Sequence, residues 1–313
     1  MERHVVVPSW PGRPAAEGLE VAAAAARLGY GAVWVSETSG SDAGVLAGRI
    51  AGHCPGLPLV LGPLPAPLRS APQLAMLAGS LHALGTPVEL ALGASQARMT
   101  EGWHGRGRTT EALLRDLIEA TRAAAAGRRT DHHGAAPTTG FRLRLPPVDL
   151  RIGLAALGPR YLQLAGALAD RVVLNMVPAS VLPHLLASVD EGAASAGRPR
   201  PPVTAWVLAG CRPTPEARTS LQRFVAAYAS AGGYADVFRR AGFGPEIDAL
   251  HRPDGSSGGL LDDAVVHSVA ALGDAAAIAA TVASFEEAGV SVAIVPLTIG
   301  DPGGARTLRA LAR

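Results

Sequence analysis

Two places in the sequence carry side chains that could move protons. Glu37 follows a short apolar run, and partial burial would fit its carboxyl group for proton transfer. In the stretch 101–105, which reads EGWHG, His104 lies beside Trp103 and could act as a general acid or stack on a flat ligand. The alternatives are that Glu37 is a solvated loop carboxylate and that His104 faces solvent beside a packed tryptophan. The sequence leaves both open.

Three other places could bind a ligand. The segment 155–159 (AALGP) begins a predicted helix with small residues, which leaves free N–H groups at the positive helix end and is typical of an anion site or of an ordinary tight turn. The segment 62–67 (GPLPAP) could hold a strained or cis peptide against a flat ligand, or form a rigid loop. Asn175 is the only asparagine, and its amide could bind a polar ring edge or satisfy a turn.

Composition excludes several classes of function. All 28 basic residues are arginine, so a P-loop, a Schiff-base aldolase and a pyridoxal-phosphate enzyme lack their lysine. Cys54 and Cys211 are the only cysteines and lie far apart, which argues against iron–sulfur and zinc sites; we expect no metal. The net charge of +2 and the absence of a long apolar run predict no nucleic-acid partner, no membrane partner and a cytoplasmic location.

Short β-branched runs alternate with helical patterns along the chain, which is typical of a parallel sheet. Residues 213–272 are too long for one crossover and predict an inserted helical subdomain broken near 251–259. Eight strands are predicted, at 4–8, 32–36, 59–62, 88–92, 151–155, 171–175, 203–209 and 292–297.

Eight strands with intervening helices predict a (β/α)₈ TIM barrel of one domain, with an open doubly wound sheet as the alternative. In a TIM barrel the active site lies at the carboxyl ends of the strands. That rule selects the residues after each predicted strand: Trp10, Glu37, Gly62 to Leu64, Gly93 to Gln96, Ala156 to Pro159, Asn175 and Met176, and those after Leu297.

An ordered set of segments resembles the luciferase-like monooxygenase family, and within it the branch that uses the deazaflavin coenzyme F420. The segments cover almost the whole chain and are AARLGYGAVWVSE (25–37), LPLVLGPLPAPLRSAPQLAMLAGSLHALG (57–85), ELALGAS (89–95), GWHGR (102–106), ALGPRYLQLAGALADRVVLNMVP (156–178) and LGDAAAIAATVASFEEAGVSVAIVP (272–296). Each segment alone matches the family only loosely. The set is specific because all of the segments occur in the same order as in the family.

The resemblance implies that the coenzyme ring lies in the barrel mouth, often against a non-prolyl cis peptide, here near 62–64. It also implies a coenzyme phosphate at the turn 156–159. The cofactor-binding residues predicted from the strand ends and the resemblance together are Gly62, Pro63, Leu64, Gly93, Ser95, Gln96, Ala156, Leu157, Gly158, Pro159, Asn175 and Met176.

The reaction that the resemblance implies is hydride transfer to or from a small organic or secondary-metabolite substrate, in a homodimer. His104 is the first candidate proton donor and Glu37 the second. Two departures from the family pattern stand out: Thr38 replaces a histidine after the acid, and Thr86-Pro87-Val88 replaces GRF. Two alternatives remain, an FMN-dependent monooxygenase and a non-catalytic coenzyme-binding barrel.

Overall fold

The computed structural model describes residues 2–10, 12–14, 16–250 and 261–313. The strands within these residues are β1 Arg3–Val6, β2 Val33–Val35, β3 Leu59–Pro65, β4 Val88–Gly93, β5 Asp131–His132, β6 Thr138–Thr139, β7 Arg151–Ala155, β8 Arg171–Asn175, β9 Val203–Cys211, β10 Ala270–Gly273 and β11 Ser291–Pro296. The helices are α1 Glu17–Arg27, α2 Ala43–His53, α3 Ala71–Ala83, α4 Glu111–Ala125, α5 Pro159–Leu168, α6 Leu182–Ser195, α7 Pro215–Ala229, α8 Gly232–Arg240, α9 Gly244–Leu250, α10 Asp263–Val269, α11 Ala275–Glu287 and α12 Ala305–Leu311.

Eight parallel strands close into a barrel. Their order is β11, β1, β2, β3, β4, β7, β8 and β9, and the ring closes because β9 pairs with both β8 and β11. An open doubly wound sheet would leave two unpaired edges, so the predicted TIM barrel is confirmed. The strands β5 and β6 form a separate two-residue antiparallel pair in the long connection after α4.

The segment predicted as a helical insertion ends in a strand. Helices α7 to α10 occupy most of it, but Ala270–Gly273 pairs with Leu208 to Cys211, the last four residues of β9. The sequence pattern missed β10 because its apolar residues follow the apolar residues of α10 without a turn signal. The predicted break at 251–259 lies outside the described residues.

Strand β3 was predicted to end at Gly62, and that bound was wrong, because the strand continues through the first two prolines of the segment 62–67. Pro65 pairs with Gly93 of β4, after a register shift between Leu61 and Leu64. Pro63 lacks the N–H group that a regular ladder needs, and it lies where the ladder is already interrupted. The pairing of β2 with β3 ends at Leu61, so the later prolines lie beyond that ladder.

Alternating residues of the barrel strands belong to two apolar clusters. On β9, Val207 and Ala209 pack in the cluster shared with the outer helices, whereas Trp206 and Leu208 belong to the barrel interior. The interior cluster also contains Leu221, Phe238 and Val265 from helices α7, α8 and α10. We call helices α7 to α10 the helical cover, because their apolar faces are continuous with the barrel interior.

The amino ends of the strands are closed by buried polar side chains. Arg171 Nε donates to Glu89 Oε1 at 2.8 Å, and its Nη1 donates to Thr204 Oγ1 at 3.0 Å. His4 is 3% exposed and accepts a hydrogen bond from Trp34 Nε1 at 3.0 Å. Filled in this way, the amino ends leave the carboxyl ends of the strands as the place for a ligand.

Candidate active site

The carboxyl ends of β3, β4 and β7 bring small residues together. Pro65 is in register with Gly93, and Gly93 with Ala155. A Cβ atom on Gly93 would lie 3.2 Å from Cβ of Pro63 and 3.8 Å from Cβ of Ala155. A side chain here would crowd Pro63, so these strand ends form a surface without large side chains, which is what a flat ring needs in order to lie close to the backbone.

The peptide bond between Gly62 and Pro63 is cis. It lies at the place predicted for a cis peptide, but it precedes proline, so the predicted non-prolyl type was wrong. Gly62 has φ +139°, and a Cβ atom there would lie 2.1 Å from the carbonyl oxygen of Ala91. Glycine is therefore required at this position both by conformation and by space. Leu64 follows in the strand and is fully buried.

Helix α5 begins at the predicted anion site. The buried Ala156 and the half-buried Leu157 lead into Gly158, the N-cap residue, and Pro159 takes the first helical position. No side chain caps this helix, and a Cβ atom on Gly158 would meet nothing within 4 Å. The start of α5 therefore combines free backbone N–H groups, the positive end of a ten-residue helix and open space, which suits a phosphate group.

Helix α12, the last helix after β11, begins differently. The carboxylate of Asp301 accepts hydrogen bonds from the backbone N–H groups of Arg306 and Thr307 at 2.9 and 3.0 Å. It also accepts one from Thr307 Oγ1 at 2.8 Å. The protein's own carboxylate thus occupies the donors at this helix start, and it leaves α5 as the better place for an anion.

Asn175 ends β8 at the mouth, as predicted, and its side chain contacts the helical cover. Its Nδ2 donates to the hydroxyl oxygen of Tyr234 in α8 at 2.9 Å. Met176 follows with φ +48° and is buried among the interior residues. Asn175 is also in register with Trp206 of β9, so both side chains point to the same face of the sheet, the barrel interior.

Four aromatic rings form a continuous row between β1 and the helical cover. Trp10 contacts Phe224 with 4.9 Å between ring centroids, Phe224 contacts Tyr228 at 5.0 Å, and Tyr228 contacts Tyr234 at 5.2 Å. Trp10 is fixed by a hydrogen bond from its Nε1 to the carbonyl oxygen of Pro296, at 2.8 Å. We call Trp10, Phe224, Tyr228 and Tyr234 the aromatic row. It ends at Asn175, the predicted cofactor-binding residue.

Glu37 lies just after β2 and already has two hydrogen-bond donors. Arg69 Nη2 donates to its Oε1, and the backbone N–H of Ala43 donates to its Oε2 at 3.0 Å. The exposed fractions of the Glu37 and Arg69 side chains are 15% and 21%. This arrangement favours a structural role, in which Glu37 joins the end of β2 to the start of α2 and to the segment after β3.

His104 lies in the long connection after β4. A six-residue π-helix, Arg98–Trp103, precedes it, and the side chain of His104 is exposed. Trp103 is 49% exposed and lies under the guanidinium carbon of Arg98, 5.7 Å from its ring centroid. Among the described residues no hydrogen bond or ion pair involves the imidazole of His104, so this ring is available to a ligand.

Both ends of this connection are fixed at the mouth. Thr109 Oγ1 donates to the carbonyl oxygen of Ala94 at 2.6 Å, and Tyr161 of α5 donates to the carbonyl oxygen of Thr109 at 2.8 Å. Ser95 has φ +61° and Gln96 is exposed, immediately before the π-helix. The connection therefore starts and ends beside α5, while its middle, with His104, extends into solvent.

The structure brings most predicted residues to one end of the barrel and adds others. The ends of β3, β4, β7 and β8 meet there, whereas Glu37 is engaged with Arg69 and His104 is exposed. Tyr234 and Trp206 were missed by sequence reasoning. For Tyr234 a usable signal was the aromatic content of the insertion, which holds five of the thirteen aromatic residues of the chain. Trp206 lies before the insertion and had no such signal.

The profile of the luciferase-like monooxygenase family matches residues 2–291. The chain belongs to this family. The luciferase-like assignment agrees with the resemblance predicted above and supports an oxidoreductase as the coarse class of enzyme. Within the described residues, no three histidine, cysteine, aspartate or glutamate side chains are grouped to hold a metal ion, and no helix is long and apolar enough to cross a membrane.

Other luciferase-like proteins resemble the chain over its whole length. A protein of Mycobacterium tuberculosis, provisionally named a coenzyme F420-dependent oxidoreductase, is 26% identical over 340 aligned positions, which cover 96% of each chain. Coenzyme F420-dependent tetrahydromethanopterin reductase of Methanopyrus kandleri has a TM-score of 0.83 at 16% identity, with 100% of this chain and 98% of that chain covered.

An FMN-containing structure is also similar. The oxygenating constituent of 3,6-diketocamphane monooxygenase from Pseudomonas putida, in complex with FMN, has a TM-score of 0.71 at 17% identity. The alignment covers 100% of this chain and 97% of that chain. The structures of an F420-dependent enzyme and of an FMN-containing enzyme are thus both similar to this barrel. Similarity of fold therefore does not decide between the two cofactors.

Proposed function

We propose that the protein is a coenzyme F420-dependent oxidoreductase that transfers hydride to or from a small organic or secondary-metabolite substrate. The F420-dependent name of the Mycobacterium tuberculosis relative, which is similar over 96% of both chains, supports the choice of coenzyme. The observation that carries the proposal is the uncapped start of α5 beside the small-residue ends of β3, β4 and β7. This arrangement offers one place for a phosphate and one for a flat ring.

The residues present fit such a group. The backbone N–H groups at the start of α5, between Gly158 and Tyr161, would hold the coenzyme phosphate. Gly62, Pro63 and Gly93 would lie against the ring, because Gly62 has no room for a side chain and a Cβ atom on Gly93 would be tight against Pro63. When bound, a deazaflavin supplies a hydride carrier that lacks the nitrogen on which flavin peroxide chemistry depends.

The chain's other residues would orient and protonate the reactants. Asn175 and Met176 would border the ring, and Ser95 and Gln96 would border it from the segment after β4. His104 is the proposed proton donor, because its imidazole is free of partners among the described residues and follows a strand that ends at the mouth. Glu37 is the less suitable donor, since Arg69 and the N–H of Ala43 already occupy its carboxylate.

Titration of the purified protein with oxidised coenzyme F420 and, in parallel, with FMN tests the proposal. We expect saturable binding of F420, followed by its absorbance or fluorescence, and no comparable binding of FMN. Preference for FMN would replace the proposal by an FMN-dependent monooxygenase that requires oxygen. Binding of F420 without turnover across a substrate screen would indicate a non-catalytic coenzyme-binding barrel, and binding of neither would overturn the proposal.

A further inference from the structure

Two unmatched hydrogen-bond donors lie where the aromatic row meets the barrel. Trp206 is 8% exposed, and its Nε1 has no hydrogen-bond partner in the part of the chain that the structure describes. A buried indole N–H without an acceptor is costly, and such groups in native proteins call for an explanation. The indole belongs to the barrel interior and packs edge-on against Trp34 at 5.5 Å, so it has an apolar surround.

The second donor is the hydroxyl group of Tyr234. Its oxygen accepts the hydrogen bond from Asn175 Nδ2, and in this arrangement its own hydrogen is directed away from Asn175. Burial, then the neighbouring Tyr228, raises the pKa of Tyr234, which keeps the hydroxyl protonated at neutral pH. Tyr234 therefore serves as a donor and not as a base.

Asn175 connects the two donors, because it is paired with Trp206 in the sheet and bonded to Tyr234. Asn175 is directly paired with Trp206 across β8 and β9, and both side chains point to the interior face. The Asn175 amide therefore positions Tyr234 above the strand that carries Trp206. Around these donors the surfaces are aromatic, from Phe224 and Tyr228, and both of these rings are half-buried and not fully covered.

We propose that Trp206 Nε1 and the Tyr234 hydroxyl together bind an acceptor oxygen of the substrate, and that the substrate is an apolar, ring-containing carbonyl compound. This inference rests on the proposed function for its reaction, but not for its binding site. Two donors at the junction fit a carbonyl oxygen, and the aromatic row fits the apolar body attached to it. Trp206 and Tyr234 are then specificity-determining residues for the substrate.

A matched pair of probes tests the site. The probes are 2-acetylnaphthalene and 2-isopropenylnaphthalene, which have the same shape. The first has a C=O group where the second has C=CH₂. Binding to the full chain is measured by ligand-observed NMR titration, with and without oxidised F420. We expect the ketone to bind about tenfold more tightly than the hydrocarbon, the effect of one to two hydrogen bonds in an apolar site.

Removing either donor reduces this preference. Trp206→Phe and Tyr234→Phe each lower the ketone-to-hydrocarbon ratio about threefold or more, leave hydrocarbon affinity nearly unchanged, and together bring the ratio close to one. Tyr30→Phe, which removes a tyrosine hydroxyl bonded to the carbonyl of Leu308 far from the mouth, leaves the ratio unchanged. Thermal melting identifies any variant that fails to fold. If Trp206→Phe does not fold, Tyr234→Phe alone tests the inference.

Three results would overturn the inference: no binding of either probe to the unmodified chain, equal affinities for the two probes, or a ratio that neither substitution changes. The parallel coenzyme titration separates this failure from that of the proposed function. Loss of F420 binding with an intact ketone preference contradicts the proposed coenzyme alone, and F420 binding without the ketone preference contradicts the donor pair alone.

Discussion

At the scale of single residues, His104 is the side chain with the clearest chemical test. General acids contribute about 10²- to 10⁴-fold to reactions in which they take part. His104→Ala is therefore expected to lower kcat about a hundredfold while leaving the coenzyme Kd within about twofold, because the ring is exposed and holds no other described residue in place. Stopped-flow turnover and a coenzyme titration measure both quantities. Unchanged turnover with full coenzyme binding would remove His104 from the reaction.

A second residue-scale prediction concerns His4 at the closed end of the barrel. Burial, and then the positive charge of Arg171, lower the pKa of His4, while Glu2 and Glu89 act in the opposite direction. Because the folded-state pKa is below the ordinary value near 6.5, the folded state binds the proton less readily than the unfolded state. The contribution to stability is complete above about pH 6.5 and is lost as the pH falls toward the folded pKa.

Thermal melts at pH 8, 6 and 5 measure this loss. We expect the melting temperature to fall from pH 8 to pH 5, and to fall less in His4→Gln, whose side chain can still accept the Trp34 hydrogen bond but cannot titrate. The variant is less stable than the unmodified chain at pH 8, so the comparison is between slopes. Equal slopes in the two proteins would show that His4 is not the titrating group.

At the scale of elements, the start of α5 makes a prediction about charge. Gly158 has room for a side chain and an ordinary φ of −77°, so substitution there should not disturb the fold. Gly158→Asp places a carboxylate on the donors that a phosphate would use, and we expect coenzyme affinity to fall about tenfold or more. Gly158→Asn caps the same donors without charge and should weaken binding less. Equal Kd values for Asp and Asn variants would contradict a phosphate at this site.

Some helices and strands were predicted well from the sequence, and others were not. Strands β7 and β8 lie at the predicted bounds, because each is a short apolar run that begins at an arginine. The leucines at 74, 77, 81 and 84 predict an apolar stripe along α3, and this prediction was partly wrong. Leu74 and Leu81 are buried, but Leu84 is 64% exposed, and alanines fill much of the buried face. In an alanine-rich helix the hydrophobic period does not mark one face.

Local geometry could be predicted from the sequence, and contacts between distant residues could not. The start of α5 and the Gly62–Pro63 bond each depend on a few consecutive residues. The bond between Asn175 and Tyr234 joins residues 59 positions apart, and the pairing of Asn175 with Trp206 depends on the register of two strands. Propensity and spacing do not contain that register, so the donor pair becomes visible only in the folded barrel.

At the scale of the whole molecule, exposed apolar side chains indicate where a second copy would pack. Val45 of α2 is 67% exposed, Met76 of α3 is 45% exposed, and Leu84 directly follows α3. Large apolar side chains at the surface often mark a protein interface. We therefore propose that the expected homodimer forms through α2 and α3.

Light scattering after size exclusion tests this interface. The unmodified chain is expected to have the mass of a dimer, and Val45→Glu combined with Met76→Glu is expected to shift it to a monomer. Trp103→Ser removes another exposed apolar side chain, outside α2 and α3, and should leave the dimer intact. A monomeric unmodified chain at tens of micromolar, or an equal effect of Trp103→Ser, would contradict the assignment of this face.

The closed amino ends of the barrel strands affect the order in which substrate and coenzyme can bind and leave. Arg171, Glu89 and His4 fill one end of the barrel, so the binding site has a single opening at the other end. The molecule that is bound deepest must therefore bind first and leave last. The proposed coenzyme positions are on the strand ends, and three rings of the aromatic row, Phe224, Tyr228 and Tyr234, lie in the helical cover on α7 and α8. Product would then leave before the spent coenzyme can be exchanged, which gives a compulsory order of binding and release.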